Sequence, residues 1–207
     1  MPTPKVVVDW DGTVTEQDTL ALALVHFVSP AVLEPLTLRV DAALAAGSMS
    51  LRDVMMAEFA ALTAPLDLVV AFIVEHAQVR PGFAEFVARY DPLILSTSFQ
   101  ETIEPVLARE GVTARVVASH AEPDPQGWRM RWISAVDCAI CGEPCKRSGL
   151  PNPPFIYVGD GYSDRCAALA AKRIFARDGL ARYLDSRHVD YEPFTDFYGI
   201  ATALDAY

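Results

Sequence analysis

The chain has 207 residues and a formal net charge of −10, from 17 Lys and Arg against 27 Asp and Glu. Hydrophobic residues make up 52% of it, so a chain of this length can bury a core and is not disordered. The acidic excess argues against a nucleic-acid partner and against docking on an anionic membrane, because both surfaces attract basic proteins.

The N-terminal residues and the cysteines indicate the cellular compartment. No apolar stretch of signal-peptide length follows Lys5, and the longest wholly apolar run, at 68–74, is too short to span a bilayer. Four cysteines are too few for a disulfide framework in a chain of this length. We therefore expect a cytoplasmic protein with reduced thiols.

The first predicted element is a strand at 5–8, where three consecutive valines are typical of a strand covered on both faces. An acidic turn, Asp-Trp-Asp-Gly-Thr at 9–13, follows it at once. From residue 18 to about 78, apolar residues recur at helical spacing between proline and glycine breaks. The predicted helices span about 20–28, 34–46, 51–62 and 67–75. Pro35 is expected at the opening of the second helix.

This all-helical block predicts a cap domain at 16–79, inserted into an α/β core formed by 1–15 and 80–207. After the cap, the predicted strands span 92–96, 115–118, 155–158 and 173–176. The predicted helices between and after them span 82–90, 101–110 and 164–171. An alternating segment at 128–132, entered through a turn at 125–127, predicts a hairpin arm. The fold class is therefore α/β, with a doubly wound parallel sheet that binds ligands at the carboxyl ends of its strands.

Acidic side chains follow two of the predicted buried strands. Asp9 and Asp11 come after the first strand, and Asp160 and Asp164 come after the strand at 155–158. The fold places these loops at one edge of the sheet, where four carboxylates repel one another unless a cation lies among them. Oxygen ligands favour Mg²⁺, so the sequence predicts a magnesium site.

A carboxylate at such a site can attack phosphorus and form an aspartyl-phosphate. This chemistry also needs an acid for the leaving oxygen, a donor to the phosphoryl group and a fixed positive charge. Asp11 is a candidate for the acid, and Ser96, at the end of the second strand, is a candidate for the donor. Lys146 is a candidate for the positive charge.

These motifs, in this order, resemble the haloacid dehalogenase superfamily of phosphatases, in its phosphoserine-phosphatase-like group with a helical cap. The resemblance implies that Asp9 is the nucleophile and Asp11 the general acid and base. It also implies that Ser96 and Lys146 bind the phosphoryl group, and that the Gly-Asp-Gly-Tyr-Ser-Asp segment at 159–164 supplies metal-binding acids.

The resemblance extends to the ligand sets. It implies that Mg²⁺ is held by Asp9, by Asp11 through its backbone carbonyl and by Asp160, with Asp164 close by. The expected substrate-binding residues are Ser96, Thr97, Lys146 and Asp18. Ser98 competes with Ser96 for the phosphate-binding role. The cap is expected to close over the site and to select a small phosphorylated metabolite.

Two branches of this group are most similar to the chain. The segment at 138–146, which contains Cys138, Cys141 and Cys145, is similar to a cysteine-rich segment of phosphoethanolamine and phosphocholine phosphatases. The methionine-salvage phosphatases, which act on a methylthio-ketopentenyl phosphate, share a Cys-Lys pair and an Asp at the position of Asp18. Both substrate types therefore remain open, whereas phosphoserine is not favoured.

The three clustered cysteines have two interpretations. They are three of the four ligands of a structural Zn²⁺ site, with His120 or Cys166 as the fourth, or they are reduced thiols that pack a loop near Lys146. Two alternatives to a phosphatase also stay open: a phosphotransferase of the same superfamily, and a non-catalytic binding protein with this fold.

Overall fold

A mostly parallel sheet organises the fold of the computed structural model, which describes residues 5–124 and 127–206. The strands of this part of the chain are β1 Lys5–Val8, β2 Leu93–Phe99, β3 Arg115–Asp124, β4 Gly127–Arg131, β5 Phe155–Gly159, β6 Arg173–Ala176 and β7 Glu192–Pro193. Their order is β4-β3-β2-β1-β5-β6-β7, and the described pairings are parallel except in the β3–β4 hairpin. The predicted fold class is confirmed.

β1 lies at the centre of the sheet and brings three strand ends together. Val7 and Val8 are fully buried, as predicted for a strand covered on both faces. Val8 pairs with Ile94 of β2 on one side and with Val158 of β5 on the other. Because the three strands are parallel, the polar residues that follow these positions meet at one edge of the sheet.

The helices position the remaining parts of the site. They are α1 Thr19–Phe27, α2 Pro30–Ala46, α3 Leu51–Ala61, α4 Leu66–His76, α5 Phe83–Tyr90, α6 Gln100–Arg109, α7 Arg165–Ala168, α8 Asp178–Ser186 and α9 Phe197–Asp205. α1 starts after Asp18, whose side chain accepts a hydrogen bond of 2.9 Å from the amide of Ala21. α3 starts after Ser50, which forms a reciprocal capping pair with Asp53. The first four helices fill the segment predicted to be a cap, and the domain boundaries themselves stay a prediction.

This helical segment buries its apolar side chains in two places. Leu36 and Val40 of α2 pack with Val54 of α3. Val69 and Ile73 of α4 join the core that covers β1. Among the described residues, no single helix has the length and apolar character needed to cross a membrane; α3 and α4 meet that criterion only together, with a bend of 105° between them.

Some predicted elements differ from the structure. α2 begins at Pro30 and Pro35 lies inside it, because Pro30 occupies the first turn, where its missing N–H needs no partner. The helix predicted at 164–171 is shorter, since α7 ends at Ala168. The elements after β6, namely α8, β7 and α9, have no counterpart among the predictions. The turn predicted at 125–127 includes 125–126, which lie outside the described residues.

Candidate active site

A buried ion-pair network lies at the carboxyl edge of the sheet. Lys146 is fully buried, and its Nζ donates hydrogen bonds to Oδ1 of Asp9 and, at 2.6 Å, to Oδ1 of Asp164. Burial disfavours the charged lysine, but Asp164 and Asp9 outweigh that effect and raise the pKa of Lys146. A buried ammonium group that pairs with two carboxylates is a fixed positive charge, as predicted for this residue.

Asp164 makes the most hydrogen bonds described for this network. Its Oδ1 accepts hydrogen bonds from Lys146 and from the Tyr157 hydroxyl at 2.7 Å, and its Oδ2 accepts from the amides of Asp160 and Gly161, both at 2.9 Å. A side chain on Gly159 would collide with the same carboxylate, since its Cβ would lie 2.6 Å from Oδ2. With both oxygens already engaged, Asp164 positions Lys146 and the loop after β5.

Asp160 completes a group of carboxylates that suits a hard cation. Oxygens of Asp9, Asp160 and Asp164 all lie within 4.8 Å of one another. Burial, together with the charges of Asp9 and Asp164, raises the pKa of Asp160 to about 9. Burial and the charge of Asp164 also raise the pKa of Asp9 to about 6, although Lys146 opposes the shift. An all-oxygen donor set with uncompensated negative charge fits Mg²⁺.

The side chain of Asp11 lies outside that carboxylate group. Its Oδ1 accepts hydrogen bonds from the amide of Thr19 at 2.7 Å and from the Thr19 hydroxyl at 2.6 Å. Burial and the charge of Asp18 raise the pKa of Asp11 to about 7, against the opposing hydrogen bonds from Thr19. A carboxyl group that titrates near neutral pH is suited to give and take protons. A metal contact through the Asp11 backbone carbonyl stays a prediction.

The turn that carries these aspartates is fixed by residues that the sequence analysis misses. Arg80 is 4% exposed and donates to the carbonyl oxygens of Thr13 at 2.9 Å and of Gly12 at 3.0 Å, while it pairs with Glu16 at 2.8 Å. Gly12 has a φ of +73°, and a Cβ there would collide with the Asp160 carboxylate. A single arginine 67 positions away from the turn gives no local signal of this role.

β2 supplies the hydroxyl donors, and it continues to Phe99, whereas the predicted strand ends at Ser96. Ser96, Thr97 and Ser98 are all buried and all line the same cavity as Asp9. Oγ of Ser96 accepts a hydrogen bond of 3.0 Å from the amide of Ser98, so its own O–H proton is free to donate. The structure therefore brings Ser96 and Thr97 together with Asp9, and it places Ser98 on the cavity wall beside them.

The cavity in front of Asp9 has a volume of about 420 Å³ and two different walls. One wall is the carboxyl edge of the sheet. The other is made by α1 and α3, which contribute the apolar side chains Leu20, Leu51, Val54 and Met55. This second wall also carries two acidic side chains, those of Glu58 and of the exposed Asp18. Within the described chain, none of the lining residues is Lys or Arg.

Glu58 is an ionisable group of the cap-side wall whose pKa is raised. Burial, assisted by the charges of Asp18 and Asp41, raises the pKa of Glu58 to about 7. Arg52, which follows Leu51 on the same helix, points elsewhere and pairs with Asp137 at 2.5 Å. The described cavity wall thus offers a ligand hydrogen-bond acceptors and apolar contact. It offers no Lys or Arg side chain that could bind a second anionic group of the ligand, beyond its phosphate.

The cysteines also converge. Sulfur atoms of Cys138, Cys141, Cys145 and Cys166 lie within 4.8 Å of one another. His120 is engaged elsewhere, because its Nδ1 lies 2.8 Å from Oε1 of Glu101. Of the two predicted fourth partners, the structure therefore brings Cys166 to the cluster.

The sequence is similar to a known family along most of its length. A family model described as haloacid dehalogenase-like hydrolase matches residues 6–169. A protein from Bacillus velezensis is 28% identical over 98% of this chain and 90% of its own length, and one from Lysinibacillus sphaericus is 28% identical over 94% and 91%. Both relatives are named 2-hydroxy-3-keto-5-methylthiopentenyl-1-phosphate phosphatase.

Solved structures share the fold. One titled as a phospho-aspartyl intermediate analogue of phosphoserine phosphatase has a TM-score of 0.71 and 14% identity, covering 98% of this chain and 99% of its own. A phosphoserine phosphohydrolase-like protein from Francisella tularensis has a TM-score of 0.69 and 19% identity, covering 97% and 99%. At these identities the similarity supports the sheet and helix arrangement alone.

Proposed function

The chain belongs to the haloacid dehalogenase-like hydrolase family, in its phosphoserine-phosphatase-like group, and we propose that it works through an aspartyl-phosphate formed on Asp9. It is a phosphatase, a phosphoric monoester hydrolase that acts on a phosphorylated metabolite. The observation that carries the mechanism is the buried Asp9 carboxylate, which Lys146 holds through Oδ1 while Asp9 lines the cavity.

In the first step, Oδ2 of Asp9 attacks phosphorus. This oxygen accepts a long hydrogen bond of 3.5 Å from the Thr13 hydroxyl, whereas Lys146 contacts Oδ1. The bond from phosphorus to the leaving alcohol breaks, and the Asp11 carboxyl group gives the alcohol its proton. The Asp11 carboxylate then takes a proton from the water that attacks the aspartyl-phosphate, which releases inorganic phosphate and restores Asp9.

Magnesium is the cofactor that the family implies, and the oxygen donors fit it. We assign Asp9, Asp160 and the backbone carbonyl of Asp11 as its protein ligands. Bound there, Mg²⁺ would offset the negative charge of the phosphoryl oxygens. Asp164, whose oxygens accept four hydrogen bonds from the protein, positions Lys146 and the Asp160 loop.

The phosphoryl group is bound by donors of β2 beside Asp9. Ser96 and Thr97 donate from the cavity wall, and the buried Lys146, paired with Asp9, supplies the fixed charge. The cap helices cover the ester and exclude water from it. Hydrolysis, rather than transfer to a second alcohol or binding without turnover, agrees with the phosphatase names of the relatives. The cytoplasmic location stays a prediction.

For the substrate, we propose a phosphate ester whose tail is apolar and carries no charge, such as the methylthiopentenyl phosphate in the relatives' names. Leu20, Val54 and Met55 give the tail an apolar surface. The carboxylate of phosphoserine, a second anionic group beside the phosphate, would lie near the acidic side chains of Asp18 and Glu58 instead of near a cation. Phosphoethanolamine and phosphocholine are the second candidates, since these two carboxylates suit a positively charged head group.

A panel of phosphate esters, ranked by kcat/KM with Mg²⁺ present, tests this proposal. We expect the methylthio-ketopentenyl phosphate to rank first and phosphoserine to rank below the phosphocholine and phosphoethanolamine esters. Activity on phosphoserine that equals the best substrate would contradict the proposed substrate class. Absence of turnover on every ester would contradict the phosphatase assignment itself.

Glu58→Gln separates the two candidate substrate types. With an uncharged tail, the change keeps the hydrogen-bonding capacity of the side chain, and kcat/KM should stay within about threefold of the native value. With a cationic head group, the variant removes one of two opposing charges, and KM should rise at least about tenfold. The matched control is Glu75→Gln, an exposed glutamate of α4, which should change neither parameter. A large loss on the methylthio substrate would contradict the apolar-tail proposal.

The stabilisation that Mg²⁺ gives the protein should grow with pH. The raised pKa values of Asp9, about 6, and Asp160, about 9, mean that the folded metal-free protein favours protonated carboxyls. That contribution to stability is fully present below pH 3.8, the ordinary pKa, and is lost as pH rises through these folded-state values. Because the ion competes with protons, thermal unfolding with excess MgCl₂ against EDTA should show a larger rise in Tm at about pH 8 than at about pH 6.

The Asp160→Asn variant is the control for this measurement. It should lose most of the Mg²⁺-dependent rise in Tm at both pH values, because it removes one of the proposed ligands. An equal rise at both pH values in the native chain would show that the ion binds elsewhere.

A further inference from the structure

We propose that Cys138, Cys141, Cys145 and Cys166 bind one structural Zn²⁺, at a site separate from the carboxylates. These are the four cysteines of the chain, and their sulfur atoms lie within 4.8 Å of one another. Sγ of Cys138 and Sγ of Cys166 are 3.9 Å apart. A tetrahedral zinc ion with Zn–S bonds of about 2.3 Å holds its sulfur ligands about 3.8 Å apart, so the observed spacing fits the ion.

Backbone amides donate to two of the four sulfur atoms. The amide of Ile140 donates to Sγ of Cys138 at 3.4 Å, and the amide of Gly142 donates to the Cys138 carbonyl at 2.8 Å. Gly142 has a φ of +76°, which closes a tight Cys-Ala-Ile-Cys-Gly turn. In a second turn, the amide of Arg147 donates to Sγ of Cys145 at 3.4 Å. Amide donors to sulfur favour the thiolate, the form that binds metal.

The loop that carries three of these cysteines has little regular secondary structure. Between β4 and β5 the described chain contains only a short helical turn, Lys146–Gly149, and most side chains at 132–144 are exposed or half-buried. A connection of this length without regular structure is uncommon unless it is functional or held by another constraint. Folding energy from a bound metal is such a constraint.

The site also connects the two halves of the ion-pair network. Cys145 immediately precedes Lys146, and Cys166 lies two residues after Asp164. The Arg147 guanidinium donates to the Cys166 carbonyl at 2.8 Å, so the cysteine loop and α7 are already in contact. A metal bound to both segments would fix the position of Lys146 relative to Asp164. This inference rests on the sulfur geometry and does not depend on the proposed substrate or mechanism.

Metal analysis of the purified full chain tests the proposal. After incubation with ZnSO₄ under reducing conditions and removal of loose metal, we expect about one equivalent of zinc per chain. Replacement by Co²⁺ should give the intense sulfur-to-cobalt absorption of a tetrahedral thiolate site. Titration with a thiol reagent should release the zinc as the cysteines react. Asp160→Asn should keep the zinc, since the carboxylates are not its ligands.

Two variants make the assignment specific. Cys141→Ser, at an exposed thiol, should weaken zinc binding by at least about 100-fold. His120→Gln removes the side chain that contacts Glu101 and should leave the zinc content unchanged. Failure of the native chain to retain zinc, iron in its place, or a mass lowered by disulfide formation would each overturn the proposal. The cobalt spectrum of the native chain gives a result even if the cysteine variant does not fold.

Discussion

Asp9→Asn is expected to lower kcat for p-nitrophenyl phosphate by at least about 10⁴-fold. The amide has nearly the shape of the carboxylate but cannot attack phosphorus. Lys146 keeps its ion pair with Asp164, at 2.6 Å, so the variant should still fold. Steady-state kinetics with Mg²⁺, together with circular dichroism and Tm, separate lost chemistry from lost structure.

The matched control for this variant is Asp67→Asn, at an exposed aspartate of α4. It makes the same chemical change away from the site and should leave kcat and KM unaltered. If Asp9→Asn retained more than about a tenth of the native kcat, Asp9 would not be the nucleophile.

Lys146→Met should produce the largest loss of stability of the variants considered. The lysine is fully buried, and its removal leaves the carboxylates of Asp9 and Asp164 without their shared counter-charge. Breaking a buried pair from one side typically costs about 3–5 kcal/mol. For a chain of this size, that loss corresponds to a fall in Tm of roughly 10 °C. Denaturant and thermal unfolding measure it directly.

The control for this stability effect is Lys172→Met, at an exposed lysine after α7. It should change the free energy of unfolding by less than about 0.5 kcal/mol. A cost below about 1 kcal/mol at Lys146 would show that the two carboxylates are neutral, or are compensated by another group, in the native protein.

The sequence predicts the centre of this site well because its signals are local. Three consecutive valines before Asp9 and the apolar strand before Asp160 fix two buried parallel strands, and the fold then brings their ends together. The strand predicted at 92–96 places Ser96 beside them, although β2 continues to Phe99. The order of these residues along the chain indicates the chemistry that we propose.

Contacts between distant residues are the part that sequence reasoning does not reach. From the sequence, Asp164 has the position of a metal ligand, because it follows a buried strand. The structure adds that its carboxylate oxygens accept four hydrogen bonds from other residues of the protein. Arg80 is 67 positions from the carbonyl of Thr13 that it binds, and Tyr157 contacts Asp164 from inside β5. Such roles depend on tertiary packing and leave no periodic pattern in the sequence.

In the predicted cap segment, too, the sequence predicts the helices but not how they pack. Its helices follow from apolar spacing and from the caps at Asp18 and Ser50, but the start of α2 does not, because either Pro30 or Pro35 can open a helix. The acceptor role of Glu58 depends on which face of α3 lines the cavity. The substrate class that we propose therefore rests on the lining of the cavity rather than on the motifs.

Direct detection of the phosphorylated enzyme tests the central claim. The Asp11→Asn variant, which cannot activate water, is mixed with Mg²⁺ and p-nitrophenyl phosphate, whose leaving group departs without the Asp11 proton. The mixture is then quenched in acid, digested and analysed by mass spectrometry. We expect one added phosphoryl group on the peptide that contains Asp9, and no such label in Asp9→Asn. A label on another residue, or turnover by the native enzyme with no label in any variant, would contradict the aspartyl-phosphate mechanism.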